Sequence, residues 1–141
     1  MISISRVSGS PPLVYLALSV FIIVGCVNAV NLTDGIDGLA TGVTLPVMLF
    51  FTLVSMTAKQ WGLATFPATL VGALGGFLFY NFYPAKTFMG DTGSLYLGGA
   101  VCGLAYALDM PLVLLFVGLI YIIETLSDIL QVSYFKLTHG K

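Results

Sequence analysis

Residues 11–30 read PPLVYLALSVFIIVGCVNAV, a run of twenty residues without a charged side chain. An α-helix needs about 20 apolar residues to cross the hydrocarbon core of a bilayer. Over the whole chain, 58% of the 141 residues are hydrophobic and 8% are charged, whereas soluble domains carry about 25% charged residues. So few charges cannot cover a water-facing surface, and the sequence therefore predicts an integral membrane protein whose main solvent is lipid.

Four further apolar segments follow, over approximately residues 38–57, 62–82, 94–108 and 111–135. In lipid, only helices and closed barrels satisfy the backbone hydrogen-bonding groups, and these segments are too long and too evenly apolar for barrel strands. We therefore predict an all-α fold, in which residues 1–141 form a single membrane domain. That domain is a polytopic helical bundle of about five transmembrane helices, the first over residues 11–30.

Two pairs of glycines four residues apart lie within these segments: Gly72 with Gly76, and Gly99 with Gly103. Small residues at this spacing allow two membrane helices to approach closely. The alternative is that glycine is simply common in membrane helices. The two cysteines have neither metal-binding nor disulfide spacing, and we interpret both as packing residues.

The polar connections fall into two groups that alternate along the chain. One group holds residues 31–37, 81–91 and 136–141, and the other holds the N-terminus, residues 59–61 and Asp109. Five alternating spans place each group on its own side of the membrane. Three lysines in the first group, against one arginine and one lysine in the second, favour the first as cytoplasmic. The net charge of −1 indicates neither a nucleic-acid partner nor a polybasic membrane-binding patch.

The first polar stretch, residues 28–38, reads NAVNLTDGIDG and carries two acids three residues apart. If the second helix begins here, Asp34 and Asp37 share one face of its first turn. Carboxylates at this spacing can hold a divalent cation or its hydration shell, and a helix N-terminus supplies N–H donors to phosphate. The alternative makes Asp34 an N-cap and Asp37 a first-turn acid that favours the helix dipole.

The second polar stretch, residues 80–94, reads YNFYPAKTFMGDTGS. An acid between glycines, a lysine and several aromatics suit a phosphorylated ligand with a flat ring. We expect Asp91 to bind Mg²⁺, Phe88 to stack on a base, and Asn81 to hydrogen-bond the ring. The alternative makes Asp91 the N-cap of the fourth helix and the aromatics an interfacial belt.

The last apolar segment carries a polar stripe of Glu124, Asp128 and Gln131 at spacing i, i+4, i+7. Charged residues inside a membrane are costly and usually face a cavity or a partner, so the stripe indicates function. The alternative is that this end of the helix lies among lipid headgroups. His139 is given no role.

These motifs resemble those of a known enzyme family. The run from Asn28 to Ala40 resembles the aspartate-rich motif of the polyprenyl-phosphate N-acetylhexosamine-1-phosphate transferases, and the run from Tyr83 to Leu95 resembles their second signature. The resemblance extends from Pro12 onward. Within this superfamily, the chain is more similar to the members that transfer phospho-MurNAc-pentapeptide. Thr33, the Leu97-Gly98-Gly99 triplet and the run Ile123–Lys136 carry that distinction.

The resemblance implies a ten-helix, multi-pass enzyme of the bacterial cytoplasmic membrane, with its active-site loops on the cytoplasmic side. The superfamily members that this chain resembles most move phospho-MurNAc-pentapeptide from UDP-MurNAc-pentapeptide to undecaprenyl phosphate, giving lipid I and UMP in peptidoglycan biosynthesis. Mg²⁺ is the implied cofactor. The family is often dimeric, so the resemblance also implies a homodimer.

The resemblance also assigns roles to particular residues. It implies catalytic roles for Asp34 and Asp91, with Asp91 as the Mg²⁺ ligand. Asn81 and Phe88 match a uridine-pocket asparagine and its stacking aromatic. The remaining matched positions bind substrate: Asn31, Gly35, Ile36 (where leucine is usual), Asp37 and Gln131.

Two parts of the family pattern have no counterpart in these 141 residues: an N-terminal half with an Asp-Asp-x-x-Lys motif, and a histidine-rich loop. We therefore expect the chain to be part of a larger transferase, with little or no activity alone. Two alternatives remain open at this point. They are an undecaprenyl-phosphate GlcNAc-1-phosphate transferase of the same superfamily, and a non-catalytic membrane protein with a vestigial nucleotide site.

Overall fold

The structure, a computed structural model, describes residues 12–138 apart from the side chains of Pro12 and Asp128. The described part is helical, without strands. Its helices are α1 (Pro12–Thr33), α2 (Leu39–Thr57), α3 (Trp61–Asn81), α4 (Gly90–Ala107), α5 (Val113–Val117) and α6 (Leu119–Leu137). The all-α prediction is confirmed. The residues before Pro12 and those from 139 onward, including His139 and the end of the predicted cytoplasmic tail, lie outside the described residues.

Three of the helices, α1, α2 and α3, are long and apolar enough to cross a membrane. Their outer faces carry large exposed apolar side chains, such as Leu13 and Phe21, each 76% exposed. Large exposed apolar surfaces of this kind mark a contact with membrane or with protein. Helix α4 has 18 residues and many small side chains, and α6 carries three charged ones, so these two are less apolar than the first three.

Helix α4 begins earlier than the sequence suggested. We predicted a fourth helix over residues 94–108, whereas α4 starts at Gly90 and so includes Asp91 in its first turn. The N-cap is Met89, so the alternative that makes Asp91 the N-cap is wrong.

The predicted fifth helix over residues 111–135 is interrupted at Gly118, between α5 and α6. Gly118 still donates its backbone N–H to Leu114 O (2.8 Å) and accepts from Ile122 N at its own carbonyl oxygen (2.9 Å). Because helical hydrogen bonds continue on both sides of Gly118, the interruption is local. Beyond it, Tyr121 is buried and its hydroxyl bonds that of Thr44 on α2 at 2.7 Å. This pair ties α6 to the interior of the bundle.

Helices α1 and α4 pack closely, as do α2 and α3. The backbones of α1 and α4 approach closely at Gly98, where an added Cβ would lie 2.7 Å from Val27 Cα. The predicted glycine pairs do not make such contacts. An added Cβ at Gly72, Gly76, Gly99 or Gly103 meets no atom of residues 12–138 within 4 Å. The close approach is therefore set by a glycine outside both spacing patterns.

Candidate functional site

The two polar motifs meet at one end of the bundle. The turn between α1 and α2 packs against the loop between α3 and α4, and the Ala85 backbone N–H donates to Asp37 Oδ2 at 2.9 Å. Across the same end, Asn31 Nδ2 donates to Asp91 Oδ1 at 3.1 Å. Sixty residues separate that pair along the chain, yet one surface holds both motifs.

The acids of the first motif lie in a turn and not in a helix. Residues 34–38 connect α1 to α2, and α2 begins at Leu39 with Gly38 as its N-cap. The expectation that Asp34 and Asp37 share a face of the first helical turn is therefore wrong, and so is the alternative that Asp34 is the N-cap.

Two glycines beside the acids adopt a left-handed backbone. Gly38 has φ +72° and Gly90 has φ +64°, a region that costs a side-chain-bearing residue about 1–2 kcal/mol. Gly38 also faces the end of α3, where an added Cβ would lie 3.5 Å from Asn81 O. The glycines therefore shape the turns that place the acids.

Asp34 and Asp91 lie close enough to influence each other. Burial raises the pKa of the Asp34 carboxyl, and the negative charge of Asp91 raises it further. The backbone N–H of Gly90 acts in the opposite direction by favouring the charged form. A cation bound beside Asp34 would favour the charged form of its carboxyl.

Asn31 links the second acid to a buried serine. Its Nδ2 donates to both Asp91 Oδ1 (3.1 Å) and Ser94 Oγ (2.7 Å). Ser94 is fully buried and donates its own hydroxyl to Gly90 O at 3.0 Å. Asn31 therefore fastens the end of α1 to the first turn of α4.

Asn81 occupies a different environment from the one expected of a base-reading residue. It is 1% exposed. Its Oδ1 accepts from Thr41 Oγ1 at 2.6 Å, and its Nδ2 donates to Thr87 O at 3.0 Å. Both amide atoms are thus used within the chain, in an arrangement that holds the loop before α4 against α2.

The other predicted site residues differ in how they are placed. Phe88 is 50% exposed and Ile36 is 60% exposed, and Gly35 is exposed as well, so all three are accessible to a ligand. Gln131 bonds Ser127 Oγ on its own helix at 2.9 Å. No hydrogen bond among residues 12–138 joins Gln131 to the two motifs.

Sequence reasoning missed Thr41 and Ser94, although each bonds a predicted site residue. Each is completely buried and lies within three or four residues of a motif acid. A hydroxyl near the start of a membrane helix was the available signal, because a buried hydroxyl needs a partner.

The donor set fits a partly protein-bound cation. No group of three or more His, Cys, Asp or Glu side chains that could cage a metal occurs in the described ranges. Mg²⁺ usually takes one or two carboxylates and completes its octahedron with water and substrate phosphate. Asp34 and Asp91 match that requirement. A cavity of about 440 Å³ between α3 and α4 is lined by apolar residues and belongs to a different surface.

Comparison with known proteins assigns the family. The family model described as glycosyl transferase family 4 matches residues 2–109 of this chain. The chain belongs to glycosyl transferase family 4. Both motifs, and every predicted site residue except Gln131, fall within the part of the chain that this family model matches.

Relatives with curated names agree with one another. The phospho-N-acetylmuramoyl-pentapeptide-transferase of Clostridium acetobutylicum is 59% identical over 128 residues, which are 91% of this chain and 40% of that protein. The protein of the same name from Carboxydothermus hydrogenoformans is 56% identical over 88% of this chain and 38% of its own length. The chain therefore spans about 40% of the length of the family 4 relatives that it matches.

Proposed function

We propose that this chain forms the nucleotide- and cation-binding part of a phospho-N-acetylmuramoyl-pentapeptide transferase. The reaction moves phospho-MurNAc-pentapeptide from its UDP carrier to undecaprenyl phosphate, giving lipid I and UMP for peptidoglycan synthesis. Because the chain spans about 40% of its relatives' length, the nucleoside and cation contacts are proposed for this chain. The complete reaction is proposed for a protein of the relatives' full length.

One observation carries the proposal: the two acidic motifs converge, through the Asn31–Asp91 bond at 3.1 Å. In phosphoryl transfer, positioning and neutralisation of phosphate charge supply most of the catalysis. Asp34 and Asp91 are the proposed ligands of Mg²⁺. A Mg²⁺ ion held there would neutralise charge on the diphosphate.

Besides the proposed Mg²⁺ site, the first turn of α4 offers backbone N–H groups to the diphosphate. Its N-cap Met89 makes no side-chain hydrogen bond to the backbone N–H groups that follow it, and the first of these, from Gly90, faces the Asp34 carboxylate. Such N–H groups, together with the helix dipole, favour a phosphate. They follow directly on the loop that carries Phe88, so a diphosphate at the helix start leaves the attached base near that ring.

Phe88 is the proposed platform for the uracil ring, since half of its surface is exposed. One Asp37 oxygen is engaged by the Ala85 N–H, which leaves the other for the nucleoside. Asn81 is proposed to shape this pocket through the Thr87 carbonyl. We propose that the site faces the cytoplasm, where the nucleotide substrate is available, and that the membrane supplies the lipid phosphate.

Binding of UMP to the detergent-purified chain, with and without Mg²⁺, tests the proposal by calorimetry. We expect Phe88→Ala and Asp37→Ala to abolish measurable binding. Phe116→Ala is the matched control, because it removes an 81% exposed phenylalanine from α5, remote from both motifs. No UMP binding by a parent chain that is helical and monodisperse would contradict the proposal, as would equal losses in all three variants.

A further inference from the structure

We propose that Ser94 is a positioning residue, which holds the Asn31 amide so that its NH₂ group faces Asp91. The Ser94 hydroxyl is fully buried and accepts from Asn31 Nδ2 at 2.7 Å. A buried hydroxyl this close to an amide nitrogen fixes which end of the amide faces it. The remaining N–H of Asn31 is then directed at the Asp91 carboxylate.

The direction of each bond follows from the groups present. A carboxylate only accepts hydrogen bonds, so the Asn31 nitrogen, and not its oxygen, must face Asp91. The Ser94 hydroxyl has one proton, which it donates to Gly90 O at 3.0 Å. Its lone pairs therefore remain for Asn31. Every bond in this network therefore pairs one donor with one acceptor: Ser94 donates to Gly90 O, and Asn31 donates to both Ser94 and Asp91.

The arrangement constrains one carboxylate oxygen and leaves the other open. Asn31 occupies Asp91 Oδ1, and no hydrogen bond to Oδ2 occurs within residues 12–138. A carboxylate with one oxygen held has a single favoured orientation, so its second oxygen points in a defined direction. This is the way in which outer residues orient metal ligands, and their loss costs about 10- to 100-fold in metal affinity or activity.

The consequence for cation binding rests on the function proposed above. The 10- to 100-fold range applies to a residue that bonds a metal ligand directly. Ser94 acts on Asp91 through Asn31, so we take the lower end of that range. We expect Ser94→Ala to weaken divalent-cation affinity about tenfold. In this variant Asn31 still bonds Asp91, but no hydroxyl at position 94 holds the Asn31 amide in its orientation.

The experiment has two readouts. Selective ¹⁵N-asparagine labelling of the 141-residue chain gives three side-chain amide pairs, from Asn28, Asn31 and Asn81. We expect Ser94→Ala to shift the Asn31 pair and speed its hydrogen exchange, and to leave the Asn81 pair unchanged. Mn²⁺ binding by electron paramagnetic resonance then reports the cation affinity. Ser55→Ala is the matched control, because Ser55 is equally buried but its hydroxyl has no partner among the described residues.

The outcomes separate the two proposals. An Asn31 pair that does not respond to Ser94→Ala overturns the positioning role. A response in the Asn31 pair, with Mn²⁺ bound by neither parent nor variant, supports the positioning role and contradicts the cation site. If Ser94→Ala does not fold, Ser94→Cys replaces the hydroxyl with a thiol of similar shape, which is a much weaker acceptor, so the Asn31 pair should still shift. An Asn31 pair that is unmoved in the cysteine variant overturns the proposal in the same way.

Discussion

The contact between α1 and α4 allows one prediction to be worked out in detail. A Cβ at Gly98 would lie 2.7 Å from Val27 Cα, 3.2 Å from Val27 O and 3.4 Å from Cys26 O. All three atoms belong to backbone, so no side-chain rotation relieves the overlap. We predict that Gly98→Ala forces the two helices apart.

The adjacent glycine provides the control. Gly99→Ala, in the same helix and one residue away, places a Cβ where no atom of the described part of the chain lies within 4 Å. Both substitutions gain about 1 kcal/mol of helix propensity. That gain cancels when the two variants are compared, and the difference isolates the overlap. Overpacking costs about 1–3 kcal/mol, so we expect the folding constant of Gly98→Ala to be about 5 to 150 times lower than that of Gly99→Ala.

Unfolding in mixed detergent–SDS micelles, followed by far-UV circular dichroism, measures this difference. The contact lies one helical turn from the Asn31–Ser94 bond on both helices, so the Asn31 amide resonances should shift in Gly98→Ala and remain in place in Gly99→Ala. Equal stability of the two variants would refute the packing of α1 against α4 that the structure shows.

Two further predictions concern the site. Thr41→Val leaves the side-chain oxygen of Asn81 buried without its hydroxyl partner at 2.6 Å, which should lower the free energy of unfolding by about 1–3 kcal/mol. The control, Thr52→Val, removes a hydrogen bond only to its own helix and should lower it less. Equal losses for the two variants in the same micelle assay would count against the Asn81 arrangement. Because the pKa of Asp34 is raised in the folded chain, its unfolded state releases the proton first, so stability falls as pH rises from about 3.8 through the raised pKa. Asp34→Asn should therefore be more stable than the parent above that window and equal to it below about pH 3.8; a parent that gains stability relative to Asp34→Asn as pH rises would show that the shift has the opposite sign.

The membrane character and the helical fold could be predicted from the sequence. Long apolar runs with few charges leave lipid as the only solvent, and lipid leaves the helix as the simplest way to satisfy the backbone. These constraints are local, so they can be read from each segment alone. The two acidic motifs could also be recognised, because each is a short continuous stretch of the sequence, residues 28–38 and 80–94.

Boundaries and partnerships required the tertiary structure. The turn at residues 34–38 and the early start of α4 involve Gly38 and Gly90 in left-handed conformations. Glycine populates positive and negative φ about equally, so the tertiary surroundings decide which conformation it adopts. The roles of Gly98 and Ser94 depend on α1 lying beside α4, a contact between segments some sixty residues apart.

Asn81 also shows the difference between what the sequence indicates and what the tertiary structure decides. Sequence and resemblance indicated a residue that contacts a nucleobase, because an asparagine amide has donors and an acceptor to offer. In the structure the amide oxygen accepts from Thr41 and the amide nitrogen donates to the Thr87 carbonyl, and the contact with a nucleobase stays a prediction. The sequence by itself determined which polar groups the chain possesses and that three of its helices are long and apolar enough to cross a membrane. The tertiary structure alone decided which of those groups bond to each other and which stay open to a ligand, because burial and long-range hydrogen bonds exist only once the helices have packed.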